Sequence, residues 1–267
     1  MATGTGAKAN GKAKTLLYAV APTLVIAAVL AAWEIAVRVN GIQPIFLPAP
    51  SSILKYLGIM IADGSLPYHL SVTFLRIMAG FLAAGIAGIL VGILMGMSPL
   101  AARIVDPWIA ALYPLPKISL IPLLIIWLGT GETYKIVISA VTAFFPVAIS
   151  TFSAIRQVDG GLIKAAKDLG ANARQIQLKI VIPAALPGIT SGLQLGMGVT
   201  IIMVVAAEMI GGSSDSGMGY LLIHAGQVME TEKVFAGLIA LAVFGAVITN
   251  VQKWIDRLAA PWVEREH

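Results

Sequence analysis

The segment 77–102 contains no charged residue, and this run constrains the fold more than any other feature of the chain. A helix of roughly 20 apolar residues crosses a hydrocarbon core about 30 Å thick. The stretches long and apolar enough for a transmembrane helix are 16–37, 77–102, 108–129, 136–155, 180–207 and 234–252. The sequence therefore predicts an all-α, polytopic membrane bundle of about six helices.

The composition supports a membrane protein and excludes several other classes. Hydrophobic residues make up 58% of the chain and charged residues only 12%, whereas about a quarter of the residues in a soluble domain are charged. A disordered chain and an ordinary cytosolic enzyme are excluded on this ground. Cysteine is absent, which excludes a disulfide scaffold, a thiolate nucleophile and a cysteine-ligated metal. His69, His224 and His267 are scattered, so no metal site and no catalytic residue are predicted.

The basic residues predict the orientation, because short cytoplasmic loops of membrane proteins are rich in Lys and Arg. With the N-terminus inside, twelve of the eighteen Lys and Arg are cytoplasmic: Lys8, Lys12, Lys14, Arg103, Arg156, Lys164, Lys167, Arg174, Lys179, Lys253, Arg257 and Arg265. Both termini are therefore predicted to be cytoplasmic. The topology accounts for the net charge of +5, and no nucleic-acid partner is needed.

These expectations divide the chain into three parts. Residues 1–15 form a flexible basic cytoplasmic tail near anionic lipid, residues 16–257 a six-span transmembrane domain, and residues 258–267 a cytoplasmic C-terminal tail. A secretory signal is a poor interpretation of 16–37, because the apolar run is long and no small-residue cleavage site follows before Glu34.

Two loops are too long to be simple connectors. The outer segment 41–69 contains a pattern at 51–57 that predicts a short amphipathic helix lying on the membrane. The inner segment 156–183 is the most charged part of the chain, and its pattern predicts two short helices that touch a soluble partner. Gly170 suits a helix C-cap with a sharp turn, Asn172 suits the start of the next helix, and Pro183 marks the entry of the fifth span.

The inner loop carries a recognisable motif. It reads Lys164-Ala165-Ala166-Lys167-Asp168-Leu169-Gly170 and, after nine residues, Ile180-Val181-Ile182-Pro183. The alanine pair predicts a helix face with nothing protruding, against which another surface can pack closely. The pattern resembles the coupling signature of ABC importer permeases, with Lys164 where that signature usually has Glu. The resemblance implies that the ATPase contacts Lys164, Ala165, Ala166, Asp168, Leu169, Gly170, Ile180 and Pro183.

The resemblance extends from about residue 45 to 250. The motifs that carry it are Leu47-Pro48-Ala49-Pro50, Ser71-Val72-Thr73-Phe74-Leu75-Arg76, Asp106-Pro107, Pro114-Leu115-Pro116-Lys117, Ile121-Pro122-Leu123-Leu124-Ile125-Ile126-Trp127-Leu128-Gly129-Thr130-Gly131-Glu132 and Ala206-Ala207-Glu208-Met209. Together they resemble permeases of the nitrate, sulfonate, taurine and bicarbonate group.

The resemblance implies a type I ABC importer permease fold in the bacterial cytoplasmic (inner) membrane. It implies a pathway for a small solute, expected to be an anion such as nitrate, sulfonate or taurine. The implied partners are two ATP-binding cassette ATPases, a second permease copy (a homodimer being the simpler case) and an extracytoplasmic binding protein. No cofactor is expected on this chain, since ATP and Mg²⁺ belong to the ATPases. The segment Gly6 to Ala13 nearly matches a phosphate-binding loop, but Ala13 stands where Ser or Thr must hold Mg²⁺.

The third span is the first candidate for lining the pathway. Pro114, Pro116 and Pro122 each remove a backbone donor, and irregular backbone at membrane depth is tolerated only inside protein or beside a watery cavity. Lys117, within this span, either extends to an interface or attracts an anion.

Glu208 is the most prominent acidic residue within a predicted span. A charge buried in lipid is costly, so Glu208 should form an ion pair, with Arg76 as the candidate partner, or act in gating. The candidate pathway and gating residues are Arg76, Lys117, Trp127, Gln194, Met203 and Glu208.

Glycines recur every four residues at Gly88, Gly92 and Gly96, and again at Gly188, Gly192 and Gly196. Such rows allow helix backbones to pack closely. The second row has two interpretations, ordinary bundle packing and a sliding interface that opens and closes the pathway.

Two other classes of function fit the sequence less well. A secondary transporter usually shows internal repeats and polar residues at mid-membrane, but no convincing repeat relates the two halves of this chain. A membrane enzyme needs a nucleophile with a base, paired carboxylates or metal-ligand spacing, and none of these patterns lies in the spans.

Overall fold

A computed structural model describes residues 5–211 and 216–259, with side chains for 21–211 and 216–257. The helices in chain order are α1 (Thr5–Val39), α2 (Pro50–Ala62), α3 (Ser65–Met97), α4 (Pro99–Leu112), α5 (Ile121–Leu128), α6 (Glu132–Arg156), α7 (Gly160–Asp168), α8 (Ala173–Ile176), α9 (Ile182–Ile210), α10 (Met218–Gln227) and α11 (Thr231–Ala259). Within these ranges five helical segments are long and apolar enough to span a membrane, and the bent pair α4–α5 makes a sixth. The predicted all-α bundle of about six spans is confirmed.

The second predicted span ends earlier than the apolar run. α3 stops at Met97, and Ser98 is extended with φ −122° and ψ 110°. The Ser98 hydroxyl accepts a hydrogen bond from the Ala101 N–H at 3.2 Å, which caps α4, and Pro99 has no N–H with which to continue α3. The predicted boundary at 102 is therefore wrong, because hydrophobicity continues through a helix break.

The third predicted span is broken, as its prolines indicated. α4 and the segment Lys117–Leu128 meet at 88°, with Pro114 and Pro116 in the connection. A 3₁₀ turn, Lys117–Leu120, precedes α5. The span also begins at Pro99 rather than near residue 108. The break places Lys117 at a bend rather than on a straight helix.

Helix α6 is the central element, because it packs against both α3 and α9. The glycine row of α3 contacts one side of α6, and a Cβ on Gly92 would lie 2.5 Å from the Cβ of Thr151. The row of α9 contacts another side, where a Cβ on Gly192 would lie 2.5 Å from the Cβ of Ser150. Both rows therefore allow close backbone packing on one shared helix.

The predicted short helix at 51–57 is present and is longer, since α2 covers Pro50–Ala62. Ile53 and Met60 of α2 are buried in a core cluster with Met218 of α10 and Ala236 of α11. This face is therefore covered by the bundle, while Leu54, on another face of α2, is 61% exposed.

The start of α2 is attached to the end of α1. Glu34 accepts hydrogen bonds from the Ser51 backbone N–H at 3.0 Å and from the Ser51 hydroxyl at 2.7 Å. It also pairs with Arg38 at 2.6 Å. Glu34, which lies near the end of the first predicted span, thus fixes the connection between α1 and α2.

The predictions for the two ends of the chain can be compared with the structure only in part. α1 already begins at Thr5, inside the segment 1–15 that the sequence assigns to a tail. Residues 260–267 of the predicted C-terminal tail lie outside the described residues. The glycine-rich run 211–219 predicts an outer loop with turns, and its residues 212–215 also lie outside the described residues. The last residues of that loop, Met218 and Gly219, already belong to α10.

Candidate coupling surface, cavity and ion-pair network

The segment 156–183 folds into two short helices before the fifth span, as predicted. α7 begins after Asp159, whose carboxylate accepts a hydrogen bond from the Gly161 N–H at 2.8 Å. Gly170 adopts φ +84°, a left-handed conformation that glycine takes without steric cost. Asn172 and Gln175 then form a capping box with two hydrogen bonds of 2.9 Å, which starts α8. Gly170 and Asn172 therefore have the predicted local roles.

The coupling candidates divide into exposed and packed residues. Leu169 is 89% exposed although it is large and apolar, and Lys164, Ala165, Asp168 and Gly170 are exposed beside it. We call these five residues the coupling surface. They lie on α7 and its C-terminal turn.

The other coupling candidates contribute to packing. Ala166 is buried in a cluster with Ile176 and Val181, while Ile180 and Pro183 are half-buried. Within the predicted small-residue face, Ala165 is exposed, whereas Ala166 is already covered by other parts of this chain. Its methyl group holds α7 against α8 and the start of α9.

A cavity of about 500 Å³ lies beside the bend of the third span. Lys117 and Met203, both predicted pathway residues, line it. The remaining lining residues are Tyr113, Leu115, Pro116, Thr142, Pro146, Val199 and Ile202. Small-molecule sites commonly have volumes of about 300–1,000 Å³ and a mostly apolar lining with few polar groups, and this cavity has that character.

Lys117 is half-buried at the edge of this cavity. Its Nζ donates a hydrogen bond to the Tyr113 carbonyl oxygen. Nζ also lies 4.9 Å from the ring centre of Tyr113 and 5.1 Å from that of Phe145, within the range of cation–π attraction. The sequence indicated Lys117, but not the two rings that hold its ammonium group.

Arg76 and Glu208 form the predicted ion pair. Arg76 Nη1 lies 2.6 Å from Glu208 Oε1, and both side chains are buried. Glu208 also accepts hydrogen bonds from the Thr73 hydroxyl at 2.9 Å and from the Gly219 N–H at 2.9 Å. A carboxylate in an apolar bundle is stable only with such partners.

Two residues that the sequence reasoning missed complete this group. Glu132 accepts hydrogen bonds from Arg76 Nε at 2.5 Å and from Arg76 Nη2 at 2.6 Å, a bidentate arrangement. Lys135, fully buried, lies 3.5 Å from Glu132. We call Arg76, Glu132, Lys135 and Glu208 the ion-pair network; its two positive and two negative groups balance.

The network also binds the connection between α9 and α10. Arg76 donates hydrogen bonds to the carbonyl and hydroxyl oxygens of Ser216 at 3.0 and 3.1 Å, and the Gly217 N–H donates to His69 Nδ1 at 3.1 Å. Thr73 accepts from the Met218 N–H at 2.8 Å. The arrangement fixes where α10 begins. A signal for Glu132 did exist, because it directly follows a Gly-Thr-Gly break and so opens a helix.

Two of the pathway candidates belong neither to the cavity lining nor to the ion-pair network. Trp127 is 68% exposed on α5. Gln194 donates a hydrogen bond from Nε2 to Asp256 Oδ2 at 2.5 Å, which ties α9 to α11. Among the described residues, no cluster of three His, Asp or Glu suited to a metal ion is found.

The sequence matches a known protein family over most of this architecture. Residues 85–260 match the model of the binding-protein-dependent transport system inner membrane component family. The chain is 36% identical over 244 residues to the taurine transport system permease protein TauC of Escherichia coli (strain K12), covering 89% of this chain and 87% of that protein. It is also 36% identical to the putative aliphatic sulfonates transport permease protein SsuC of Bacillus subtilis (strain 168), covering 90% and 86% of the two chains.

The fold has a counterpart among solved structures. The inward-facing MetNI methionine ABC transporter contains a chain that superposes with a TM-score of 0.61 at 21% identity, covering 70% of this chain and 92% of that one. This likeness concerns the fold. Taken with the family match and the two relatives, it shows that the chain belongs to the binding-protein-dependent transport system inner membrane components, as a type I ABC importer permease of the inner membrane.

Proposed function

We propose that this permease, as two identical copies, forms the pathway through which small organic sulfonates such as taurine enter the cell. An external binding protein delivers the substrate, and two ATPase subunits bind ATP with Mg²⁺ and hydrolyse it. ATP-dependent partners accompany this family, which does not favour the alternative of an ion-driven secondary transporter. The names of the two relatives support the choice of sulfonate over nitrate.

The observation that carries the coupling role is the exposure of Leu169. A large apolar side chain that is 89% exposed at the end of α7 lies in the segment 156–183, whose many charged residues do not suit a hydrocarbon core. Exposed apolar side chains rimmed by polar residues mark protein interaction sites. The coupling surface therefore suits an ATPase subunit, and α7 and α8 pass its motion to α9 through the cluster that contains Ala166.

The proposed orientation of the chain in the membrane follows from assigning the coupling surface to an ATPase subunit. If the coupling surface is cytoplasmic, α6 runs inward to it and α9 runs outward from it. Both termini then lie in the cytoplasm, and the ion-pair network lies near the outer surface. This agrees with the distribution of the twelve cytoplasmic basic residues.

The test is a mild-detergent purification of the tagged chain from its own membranes, followed by mass spectrometry, an ATPase assay and uptake of radiolabelled taurine in proteoliposomes. We expect an ATPase in a one-to-one ratio, two copies of this chain in each complex, and taurine uptake that requires ATP and the binding protein. A lone chain that takes up taurine without ATP would overturn the proposal.

A further inference from the structure

Lys117 occupies the middle of the membrane rather than an interface. The cavity that it lines also contacts Thr142 and Pro146 of α6. Thr142 lies ten residues after Glu132, the first residue of α6, and Pro146 ten residues before Arg156, the last. At 1.5 Å per residue the helix extends about 15 Å beyond this level on each side. A hydrocarbon core is about 30 Å thick, so the cavity lies near its midplane.

This depth decides between the two interpretations of Lys117. A lysine near a helix end can extend its ammonium group to the lipid headgroups, but from the midplane this distance exceeds the length of the side chain. The Lys117 ammonium group instead turns back to the Tyr113 carbonyl oxygen and the rings of Tyr113 and Phe145. It therefore stays beside the cavity.

The positive charge of Lys117 lacks a balancing carboxylate. The ion pairs found among residues 21–211 and 216–257 do not include Lys117. Lys135 differs from Lys117 in this respect, because it is buried within the ion-pair network, whose charges balance. Intramembrane charges without a partner are costly and commonly mark substrate or ion pathways. A carbonyl and two rings stabilise an ammonium group only in part, which leaves it able to bind an anion.

The cavity wall is incomplete in a single chain. Ile202 lines the cavity and is nevertheless 71% exposed. Lipid cannot cover this opening at low cost, because a half-buried ammonium group at the midplane would then face hydrocarbon. A second copy of the chain, or water in the pathway, must therefore complete the wall.

We propose that Lys117 is the anion-binding residue of the transport cavity, where its ammonium group pairs with the sulfonate group of a small aliphatic substrate. The apolar side chains contributed by α9, Val199, Ile202 and Met203, contact the carbon part of the same molecule. The proposal rests on the proposed function, since it assigns a binding residue to a sulfonate importer. Two copies place two such lysines around one pathway.

The test uses the complete transporter, with its ATPase and binding protein, in proteoliposomes that take up radiolabelled taurine or ethanesulfonate. Lys117→Met removes the charge at similar length, and Lys117→Arg retains a charge. Lys55→Met is the matched control, because Lys55 is an exposed lysine of α2 away from the cavity. We expect Lys117→Met to lower the uptake of both probes at least tenfold, with Lys117→Arg within a few-fold of wild type and Lys55→Met unchanged.

A charge-restoration experiment separates anion binding from a structural role. The chain has no cysteine, so Lys117→Cys introduces its only thiol. The reagent 2-aminoethyl methanethiosulfonate places an ammonium group on that thiol through a disulfide, and methyl methanethiosulfonate places a neutral methyl group there. We expect the first reagent to raise uptake by Lys117→Cys several-fold and the second to have no such effect. The wild-type complex treated with each reagent controls for cysteines in the partners.

Each outcome decides the proposal. Wild-type rates in Lys117→Met would overturn the role of Lys117 while the sulfonate function stands. Loss of uptake that the ammonium reagent does not restore would show a structural role and would equally overturn it. A wild-type complex that hydrolyses ATP but takes up neither probe would overturn the proposed sulfonate function, and the role of Lys117 with it.

Discussion

Arg76 Nη1 lies 2.6 Å from Glu208 Oε1, although 132 positions separate the two residues in the sequence. The pair joins α3, at a position eleven residues after its start at Ser65, to the last turn of α9. Arg76 simultaneously holds Glu132 of α6 through two hydrogen bonds. One guanidinium group therefore connects the three helices that form the centre of the bundle.

Replacing Glu208 with Gln should destabilise the protein strongly. Removing one partner of a buried pair commonly costs about 3–5 kcal/mol, and we expect the lower end of that range because Glu132 still balances Arg76. The measurement is the unfolding temperature in detergent. Glu230→Gln is the matched control, because its exposed pair with Lys233 at 3.1 Å is of a kind worth only about 0–1 kcal/mol. Equal unfolding temperatures for the two variants would contradict a stabilising role for the network.

Gly217→Ala should disturb the ion-pair network by adding a methyl group to the backbone that packs against it. Gly217 has φ +100°, and a Cβ there would contact Arg76 Nη1 and the Glu208 carboxylate. At φ +100° and ψ 160° the backbone is essentially restricted to glycine, and an L-residue held there costs on the order of 1–3 kcal/mol before any steric contact is counted. We expect a lower unfolding temperature and reduced taurine uptake. Gly226→Ala, a glycine of α10 with open space around its Cα, should change neither value.

Because both glycine rows pack closely on α6, we expect that a single methyl group added to either row will push its helix away from α6. Gly92→Ala and Gly192→Ala each add a Cβ 2.5 Å from a carbon atom of α6, and overpacking of this kind costs about 1–3 kcal/mol. The unfolding temperature in detergent again measures the effect. Gly245→Ala on α11, where a Cβ meets nothing within 4 Å, is the control and should behave as wild type. Wild-type stability of all three variants would show that the helices separate at no cost.

Gly170→Val should uncouple transport from ATP hydrolysis without preventing insertion. The residue is exposed with φ +84°, so a branched side chain strains the turn between α7 and α8 rather than the core. We expect uptake to fall at least tenfold while the membrane-embedded amount of protein stays near wild type. Gly64→Val is the matched control, since Gly64 has φ +79° and is exposed in the α2–α3 turn. Normal uptake by Gly170→Val would contradict the coupling role.

Local sequence signals were the most reliable part of the prediction. Pro114 and Pro116 predicted the broken third span. Gly170 predicted the sharp turn after α7, and Asn172 predicted the start of α8. Each of these residues acts through backbone geometry within a few positions of itself. The wrong span boundary at residues 98–102 arose because the local signal of Ser98 and Pro99 was overlooked in favour of the apolar run. Hydrophobicity alone does not show that Ser98 and Pro99 end one helix and start another.

Which side chains of a helix are covered by its neighbours was harder to predict from the sequence. Ala165 and Ala166 are adjacent and chemically identical, yet one is exposed and the other is buried against α8 and α9. Trp127 and Gln194 were pathway candidates, but they lie outside the cavity lining. Which face of a helix is covered depends on neighbours that are distant in the chain.

The sequence by itself determined the membrane class, the number of spans and the family, because these depend on composition, run length and contiguous motifs. Only the tertiary structure decided that Glu132 and Lys135 join Arg76 and Glu208, that both glycine rows pack on α6, and that Lys117 lies beside a cavity. Each of these relationships joins residues far apart in the chain. Their energies depend on distances and burial that arise only when the helices pack together.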